Sequence, residues 1–295
     1  MSGDRDKLRM DTRPKYLVLF DLNGTLVCKT TKKIKCDAEP DVVLKKAIFI
    51  YFRPYIHALL SPLLKNPLVK IGIYSSMKVQ NIDTILRAML EKMGLSDKRS
   101  SILIFDAHYC ISDPYGEELY DTLKDLTKVW NSEIAQIFFF NKRNTIFIEN
   151  NVRKANRCIG NFIRMVSYEE KDIEHPCSEK DSLLEEYCKY IEKLISSKTT
   201  DVVEYLNVNS LPLKITKYFD RSTDELLKLY NNLAEAESKI PDIQDKITWK
   251  TIEELEDKEE KIKEMKNLIS KIELTPKPQN PFILQHKHLH VYKTK

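Results

Sequence analysis

Short runs of β-branched and aromatic residues, separated by longer stretches of helical period, constrain the fold more than any other feature of this chain. The runs are Tyr16–Phe20 (YLVLF), Ala47–Phe52 (AIFIYF), Lys70–Tyr74 (KIGIY), Ile102–Phe105 (ILIF), Thr145–Ile148 (TIFI) and Ile163–Val166 (IRMV). Strands buried on both faces of a parallel sheet read this way, because neither face is left for polar side chains. Between them, Pro54 at a first-turn position opens a helix toward Leu64, a second helix spans about Val79–Met93, and a third is expected after Asn151. Ser178 and Asp181 open a further amphipathic segment, Leu183–Ile195, whose apolar residues recur at three to four residue spacing and suit packing on a sheet. The alternation predicts a doubly wound α/β domain with a central, mainly parallel sheet.

With 295 residues there is room for one large or two modest domains. Lys and Arg total 48 against 44 Asp and Glu, a net charge of +4 that is too balanced to indicate a nucleic-acid partner. No stretch reaches the roughly 18 apolar residues of a membrane span, so none is predicted. The first hydrophobic run breaks at Asp21, too early for a secretory signal, and Asp4, Asp6 and Asp11 are out of keeping with a mitochondrial presequence. The six cysteines are dispersed without a C-x-x-C pair, which fits reduced thiols and no zinc framework. The expected compartment is the nucleus or cytoplasm, with mitochondrial import left open.

From about Thr199 the pattern changes. Ser222-Thr-Asp-Glu225 has the form of a capping box, followed by a stripe of Leu226, Leu229, Tyr230 and Leu233. After Pro241 a second stripe, Ile252, Leu255, Ile262, Met265, Ile269 and Ile272, runs through dense Lys and Glu. The expected organisation is a flexible N-terminus (1–14), the α/β domain (15–198), a helical extension (199–275) and a flexible basic tail (276–295). The extension is either a helical hairpin packed on the domain or a short coiled coil with a protein partner. His286, His288 and His290 would share one face of an extended strand and offer metal ligands, but a flexible basic tail is the preferred reading.

Chemistry concentrates in Phe20-Asp21-Leu-Asn23-Gly24-Thr25-Leu26, directly after the first strand. Ligands of open parallel sheets bind beyond the carboxyl ends of the strands, so Asp21 would emerge there. Asn-Gly is also the commonest short hairpin signal, and alone the segment reads equally as a plain turn. Four further blocks follow in order: Phe52-Arg53-Pro54-Tyr55, Ile71-Gly-Ile-Tyr74-Ser75-Ser76, Tyr120 to Leu126 with Lys124-Asp125-Leu126, and Ile146-Phe-Ile148-Glu149-Asn150-Asn151 with a later Asn161-Phe-Ile163. Together they resemble the FCP/SCP branch of the haloacid dehalogenase superfamily, the NLI-interacting-factor-like CTD phosphatases. The resemblance covers about residues 15 to 196 and implies a Rossmann-like, three-layer α/β fold.

What the resemblance implies for single residues has a chemical reason in each case. Asp21 would be the nucleophile that becomes an aspartyl-phosphate, with its other oxygen on Mg²⁺. Ser75, with Ser76, would bind phosphoryl oxygens, and Lys124 would set a positive charge against phosphate and nucleophile. Alone, Ser75 reads as a strand-end turn residue and Lys124 as a solvated lysine. Glu149 would supply the remaining metal carboxylate beside the Asn23 carbonyl, with Thr25 and Asn150 orienting the site.

Two positions depart from the family pattern. Its second aspartate, which protonates the leaving oxygen and then activates water, is Asn23 here; an amide does neither, which lowers turnover by about 10²- to 10⁴-fold. Glu149 replaces an aspartate and adds a methylene where Mg²⁺ tolerates little geometric error. The expected function is a Mg²⁺-dependent phosphoserine or phosphothreonine protein phosphatase, weakened at Asn23. The alternative is an inactive pseudophosphatase that binds phosphopeptides or serves as a scaffold. The intervals between blocks are mostly consumed by core elements, leaving little room for a cap and favouring a phosphorylated peptide over a small metabolite. Asp83, Asp106 and Asp113 are available to replace the missing acid. Cys28 reads as an oxidisable thiol near the site or as a buried structural cysteine, and the run Lys29, Lys32, Lys33 and Lys35 as a solvated loop or a patch for an acidic partner.

Overall fold

In a computed structural model, residues 13–45, 47–112, 122–219 and 227 are described. The first strand, β1 (Tyr16–Phe20), is buried along its whole length. The chain then turns at Asn23-Gly24, where Gly24 adopts φ +85°, a region open to glycine at little cost. It forms a small antiparallel sheet of β2 (Val27–Thr30), β3 (Val42–Leu44) and β4 (Ile48–Phe52) in the order β2-β4-β3. The run at 47–52 is therefore a strand as expected but does not join the parallel sheet. Its partners are two runs too short to stand out in the sequence, and only the turn at Gly24 brings them alongside.

Next come α1 (Ile56–Lys65), β5 (Val69–Tyr74), α2 (Val79–Lys92) and β6 (Leu103–Phe105). Pro54 precedes the cap rather than occupying the first turn of α1: the cap is Tyr55, held at φ 60°. A hairpin of β7 (Cys110–Ser112) and β8 (Thr122–Lys124) leads into α3 (Leu126–Trp130) and α4 (Glu133–Ile137). The sheet is completed by β9 (Thr145–Glu149) and β10 (Phe162–Arg164). The helix expected after Asn151 is absent; a single 3-10 segment, Asn156–Asn161, stands there. The interval between β9 and β10 is barely the dozen residues a parallel crossover requires, and turns take up the rest. Asn161 braces it by donating to the carbonyls of Lys142 and Thr145, each at 2.6 Å.

All pairings in the main sheet are parallel, in the order β10-β9-β1-β5-β6. The chain builds outward from β1 through β5 to β6, then returns to the other side of β1. The strand order thus reverses at β1, which makes the crevice at the carboxyl ends of β1 and β9 the topological switch point where such sheets bind ligands. One sheet face (Tyr16, Val18, Phe20, Ile71, Ile73, Ile146, Ile148) joins a core with α1 and α2. The opposite face is aromatic, with Tyr74 against Phe105 and Phe147, and Phe147 against Phe162. The result is the three-layer α/β sandwich expected from the alternation.

After α5 (Glu170–Glu174) and α6 (Ser178–Asp181), α7 (Leu183–Ser196) packs on α1. It buries Leu184, Tyr187, Ile191 and Leu194, the stripe read from the sequence. Two short helices follow, α8 (Val202–Val208) and α9 (Leu213–Thr216). Val202 and Ile215 belong to the same hydrophobic core as β1, so this core continues past residue 198. The chain divides into Met1–Ala234 and Glu235–Lys295. The second unit lies outside the described residues, as do nearly all of both heptad-like stripes and the histidine tail. Among the described residues, no helix is long and apolar enough to cross a membrane.

Candidate active site

Asp21 is the first residue past β1, and its N–H donates to the Ile148 carbonyl at 2.8 Å. Phe20 stands in register with Ile73 on one side and Ile148 on the other, so Asp21 emerges between the ends of β5 and β9. Glu149, the last residue of β9, is its neighbour. Lys124 arrives from the end of β8, with its N–H donating to the Lys154 carbonyl (3.0 Å) and its carbonyl accepting from Cys158 Sγ (3.1 Å). Its ammonium is buried between two carboxylates, bonded to Asp21 Oδ1 and, at 2.5 Å, to Glu149 Oε2. A lysine that alone reads as solvated is thus only 1% exposed.

Aromatic rings complete the surroundings of Lys124, with the Tyr74 centroid at 5.5 Å and the Phe147 centroid at 5.4 Å from Nζ. The Tyr74 hydroxyl donates to the Tyr109 carbonyl (2.7 Å) and accepts from the Asp125 N–H (2.9 Å), fixing the backbone beside Lys124. Burial alone would lower the Lys124 pKa, but the charges of Asp21 and Glu149 outweigh it and hold the ammonium well above its ordinary value. Burial raises the Glu149 carboxyl, the Asp21 charge adds to the shift, and Lys124 opposes both. The sequence offered no sign of the Tyr74 and Phe147 cage beyond two aromatics in neighbouring strands.

Asn23 is divided between two sides. Its side chain is exposed and accepts the Lys29 N–H at 2.8 Å, closing the turn after β1. Its carbonyl faces Asn150. With the Asn150 amide nitrogen turned toward Glu149, that nitrogen lies 2.9 Å from Glu149 Oε1 and 3.2 Å from both the Asn23 carbonyl and Thr25 Oγ1, while the amide oxygen accepts from Ser167 Oγ at 3.2 Å. The opposite orientation would leave oxygen facing oxygen. Gly24 permits this closeness, since a Cβ there would lie 2.5 Å from the nearest atom of the Asn150 amide. Glu149 Oε1 also accepts the Asn151 N–H at 3.0 Å, so both oxygens of Glu149 are engaged.

Ser75 follows β5 directly, is buried, and donates its N–H to the Phe105 carbonyl (3.0 Å), while its Oγ accepts the Met77 N–H (3.3 Å). Ser76 is exposed beside it. Of the carboxylates considered as substitute acids, Asp83 is tied on α2 to Arg87 (2.7 Å) and Arg99 (2.6 Å), and Asp106 is bonded to His108 (3.1 Å). Asp113 and Tyr120 lie outside the described residues.

Arg53 carries more of the site than its sequence block indicated. It is 2% exposed, and its Nη1 donates to the carbonyls of Thr25 (3.2 Å) and Val166 (2.8 Å), clamping the loop after β1 to the loop after β10. Burial lowers its pKa, while Tyr187, Asp181 and Asp172 act against that. Cys28 packs in a small cluster with Ile34, Tyr51, Tyr168 and Ile173, and burial pushes its thiol up to about 11. This is the structural alternative, since a thiol held that high carries almost no thiolate at neutral pH. In the lysine run, Lys33 pairs with Glu39 at 2.6 Å on the surface.

The site is thus a carboxylate at the switch point of a parallel sheet, facing a buried lysine and a second carboxylate from adjoining elements. The sequence profile of the NLI interacting factor-like phosphatases matches residues 16–203, and the chain belongs to that family. No curated protein matches. Among solved structures the chain is similar to a variant of the fission yeast RNA polymerase II CTD phosphatase Fcp1 bound to beryllium fluoride, at 13% identity and a TM-score of 0.34. It is also similar to a structure of Fcp1 described as an essential RNA polymerase II CTD phosphatase, at 14% identity and a TM-score of 0.35. Each match covers 80% of this chain and 66% of the other, so the chain spans just under two thirds of those chains.

Proposed function

We propose that the chain is a phosphoserine or phosphothreonine protein phosphatase that works through an aspartyl-phosphate on Asp21 and is slowed at its acid-base step. The observation that supports this best is the Asp21–Lys124–Glu149 cluster at the sheet's switch point. Burial fixes its geometry: Lys124 steers Asp21 Oδ1, leaving the second carboxylate oxygen for in-line attack or for a metal. Ser75 and the exposed Ser76 lie at the next strand end, where phosphoryl oxygens would find donors.

The donor set fits Mg²⁺. Glu149 Oε1, the Asn23 carbonyl and Thr25 Oγ1 converge within 3.2 Å of the Asn150 amide nitrogen, an all-oxygen environment of the kind a hard cation requires. With two carboxylates and one ammonium, the cluster is also one charge negative and would repel a phosphate. Mg²⁺ bound by Asp21, the Asn23 carbonyl and Glu149, with the Asn150 amide turned, would reverse that sign and polarise the phosphoryl oxygens. Lys124 neutralises the nucleophile's flank, Ser75 orients the phosphate, and Arg53 holds the Thr25 loop in place. The leaving oxygen finds no acid at Asn23.

A second reading, a pseudophosphatase that holds a phosphopeptide without cleaving it, is favoured by one observation: the Asn23 side chain is turned out onto the Lys29 N–H. Hydrolysis of p-nitrophenyl phosphate with Mg²⁺ separates the two, because an aryl leaving group needs little protonation. The phosphatase reading expects turnover that chelation and Asp21→Asn abolish. Turnover unaffected by Asp21→Asn would reject the aspartyl-phosphate. A silent wild type that gains activity with Asn23→Asp would establish the second reading. A phosphoenzyme that accumulates on rapid quenching would place the block after its formation.

A further inference from the structure

We propose that Asn23 is a self-modification site: its side-chain amide is lost to water through the backbone nitrogen of Gly24, and the aspartate left behind supplies the acid that the site lacks. The proposal rests on the weakened-phosphatase reading and adds to it a way for the chain to gain turnover after synthesis.

The chain has six glycines, and only Gly24 follows an asparagine. Asparagine is thermally labile, most of all before glycine, because the next backbone nitrogen can close a ring on the side-chain carbon and no β-carbon shields it. The step balances with water alone. The Gly24 nitrogen forms a bond to Asn23 Cγ, the Cγ–N bond of the side-chain amide breaks, and ammonia leaves with the proton that the Gly24 nitrogen gives up. Water then opens the succinimide. Attack at one carbonyl gives aspartate; attack at the other gives isoaspartate, with an added methylene in the main chain.

Three features of the turn favour the reaction. Asn23 is exposed, so water reaches both steps. Its Oδ1 accepts the Lys29 N–H at 2.8 Å, a donor that polarises Cγ and stabilises the oxyanion formed on attack. Gly24, at φ +85°, has the conformational freedom to bring its nitrogen round. One feature restrains it: the Gly24 N–H is bonded to the Val27 carbonyl at 2.7 Å, so its nitrogen attacks only when the turn opens. Local opening therefore sets the rate, and the modification is slow. The turn survives conversion to aspartate, because a carboxylate oxygen accepts the Lys29 N–H in place of the amide oxygen. The Asn23 carbonyl, 3.2 Å from the turned Asn150 amide nitrogen, is untouched by it. Isoaspartate instead displaces that carbonyl along the lengthened backbone and should be inactive.

The test ages the full wild-type chain in warm, mildly alkaline buffer and samples it at intervals. Each sample is assayed with Mg²⁺ on a phosphoserine peptide, while peptide mapping by mass spectrometry counts asparagine, aspartate and isoaspartate at position 23. We expect turnover to rise in proportion to the aspartate fraction and not to the isoaspartate fraction. An acid is worth about 10²- to 10⁴-fold, so conversion of about one tenth of the chains should raise turnover by about 10- to 10³-fold. Asn23→Gln, whose longer amide closes a ring far less readily, should show no rise on ageing. Asn23→Asp, assayed fresh, should already stand at the level toward which the aged wild type climbs. With Asn23→Asp active, a position 23 that stays asparagine throughout, or aspartate that accumulates without a matching rise in turnover, would overturn the modification site alone. The same rise in Asn23→Gln as in wild type would overturn it too. A fresh Asn23→Asp without turnover would overturn the phosphatase reading beneath it.

Discussion

Asp21 and Asn23 stand two residues apart in one loop, yet their side chains occupy opposite environments. Asp21 is 6% exposed and is gripped by a lysine that meets only carboxylates and aromatic rings; Asn23 is exposed and spends its side chain on a backbone N–H of its own turn. In the buried half each charge is balanced by the others, so truncating Lys124 leaves two carboxylates without their partner. In the exposed half an amide oxygen suffices to accept the Lys29 N–H, so no charge is needed there to close the turn. Burial thus makes a charge change costly at one end of the loop and cheap at the other.

The sharpest way to break this contrast is Asn23→Asp. On the proposed phosphatase reading, if an acid at this position is all that is lacking, turnover of a phosphoserine peptide rises by about 10²- to 10⁴-fold. That corresponds to about 3 to 6 kcal/mol of barrier. The gain should be smaller on p-nitrophenyl phosphate, and equal gains on both substrates would show that the aspartate acts elsewhere than on the leaving oxygen. The fold should be unmoved, with a melting temperature close to wild type.

On the buried side, Lys124→Met strands two carboxylates and should cost about 3 to 5 kcal/mol of stability. For a domain near 200 residues that lowers the melting temperature by about 6 to 20 °C, measurable by circular dichroism. A melting temperature within about 2 °C of wild type would mean that the cluster is far wetter than its burial indicates. The Lys124 pKa is raised, so its contribution is fully present below the ordinary lysine value and is lost only as pH rises through the higher folded value.

Gly24→Ala acts where the two halves meet. It places a β-carbon in the left-handed region and against Asn150, a strain of about 1 to 2 kcal/mol that chemical denaturation would register together with weakened Mg²⁺ binding. The smallest effect concerns Glu149, whose pKa is raised, so its protonated form is the one the fold favours. Its contribution is full below the ordinary carboxyl value and fades as pH climbs through the raised one. Glu149→Gln, which stays neutral, should therefore gain on wild type in urea midpoints as pH rises above the ordinary carboxyl value, and a gap that narrows instead would reverse the assigned direction.

Much of this was legible along the chain. The five strands of the main sheet were readable because each is a short run with no polar face, and α2 and α7 because their stripes keep helical period. Asp21, Ser75 and Glu149 stand at the ends of such runs, whereas Lys124 was singled out only by the family resemblance. Of the two readings of Asn23-Gly24, the turn is the one the structure displays: the glycine closes it and lets Asn150 approach.

What escaped the sequence has a common cause. That Lys124 is buried rather than solvated depends on Asp21, Tyr74, Phe147 and Glu149, which no local window contains. Whether the run at 47–52 joins a parallel or an antiparallel sheet is decided by partners that become strands only after the chain has turned. Arg53 reads as part of a motif, but its role depends on two carbonyls, Thr25 and Val166, brought together by separate loops. The sequence by itself determined which segments become strands and helices and the order of the reactive residues, because those follow from hydrophobic period and backbone chemistry within a few positions. Only the tertiary structure decided which charges are dry and which way the Asn23 side chain turns, because burial and Coulomb energy sum over residues far apart in the chain.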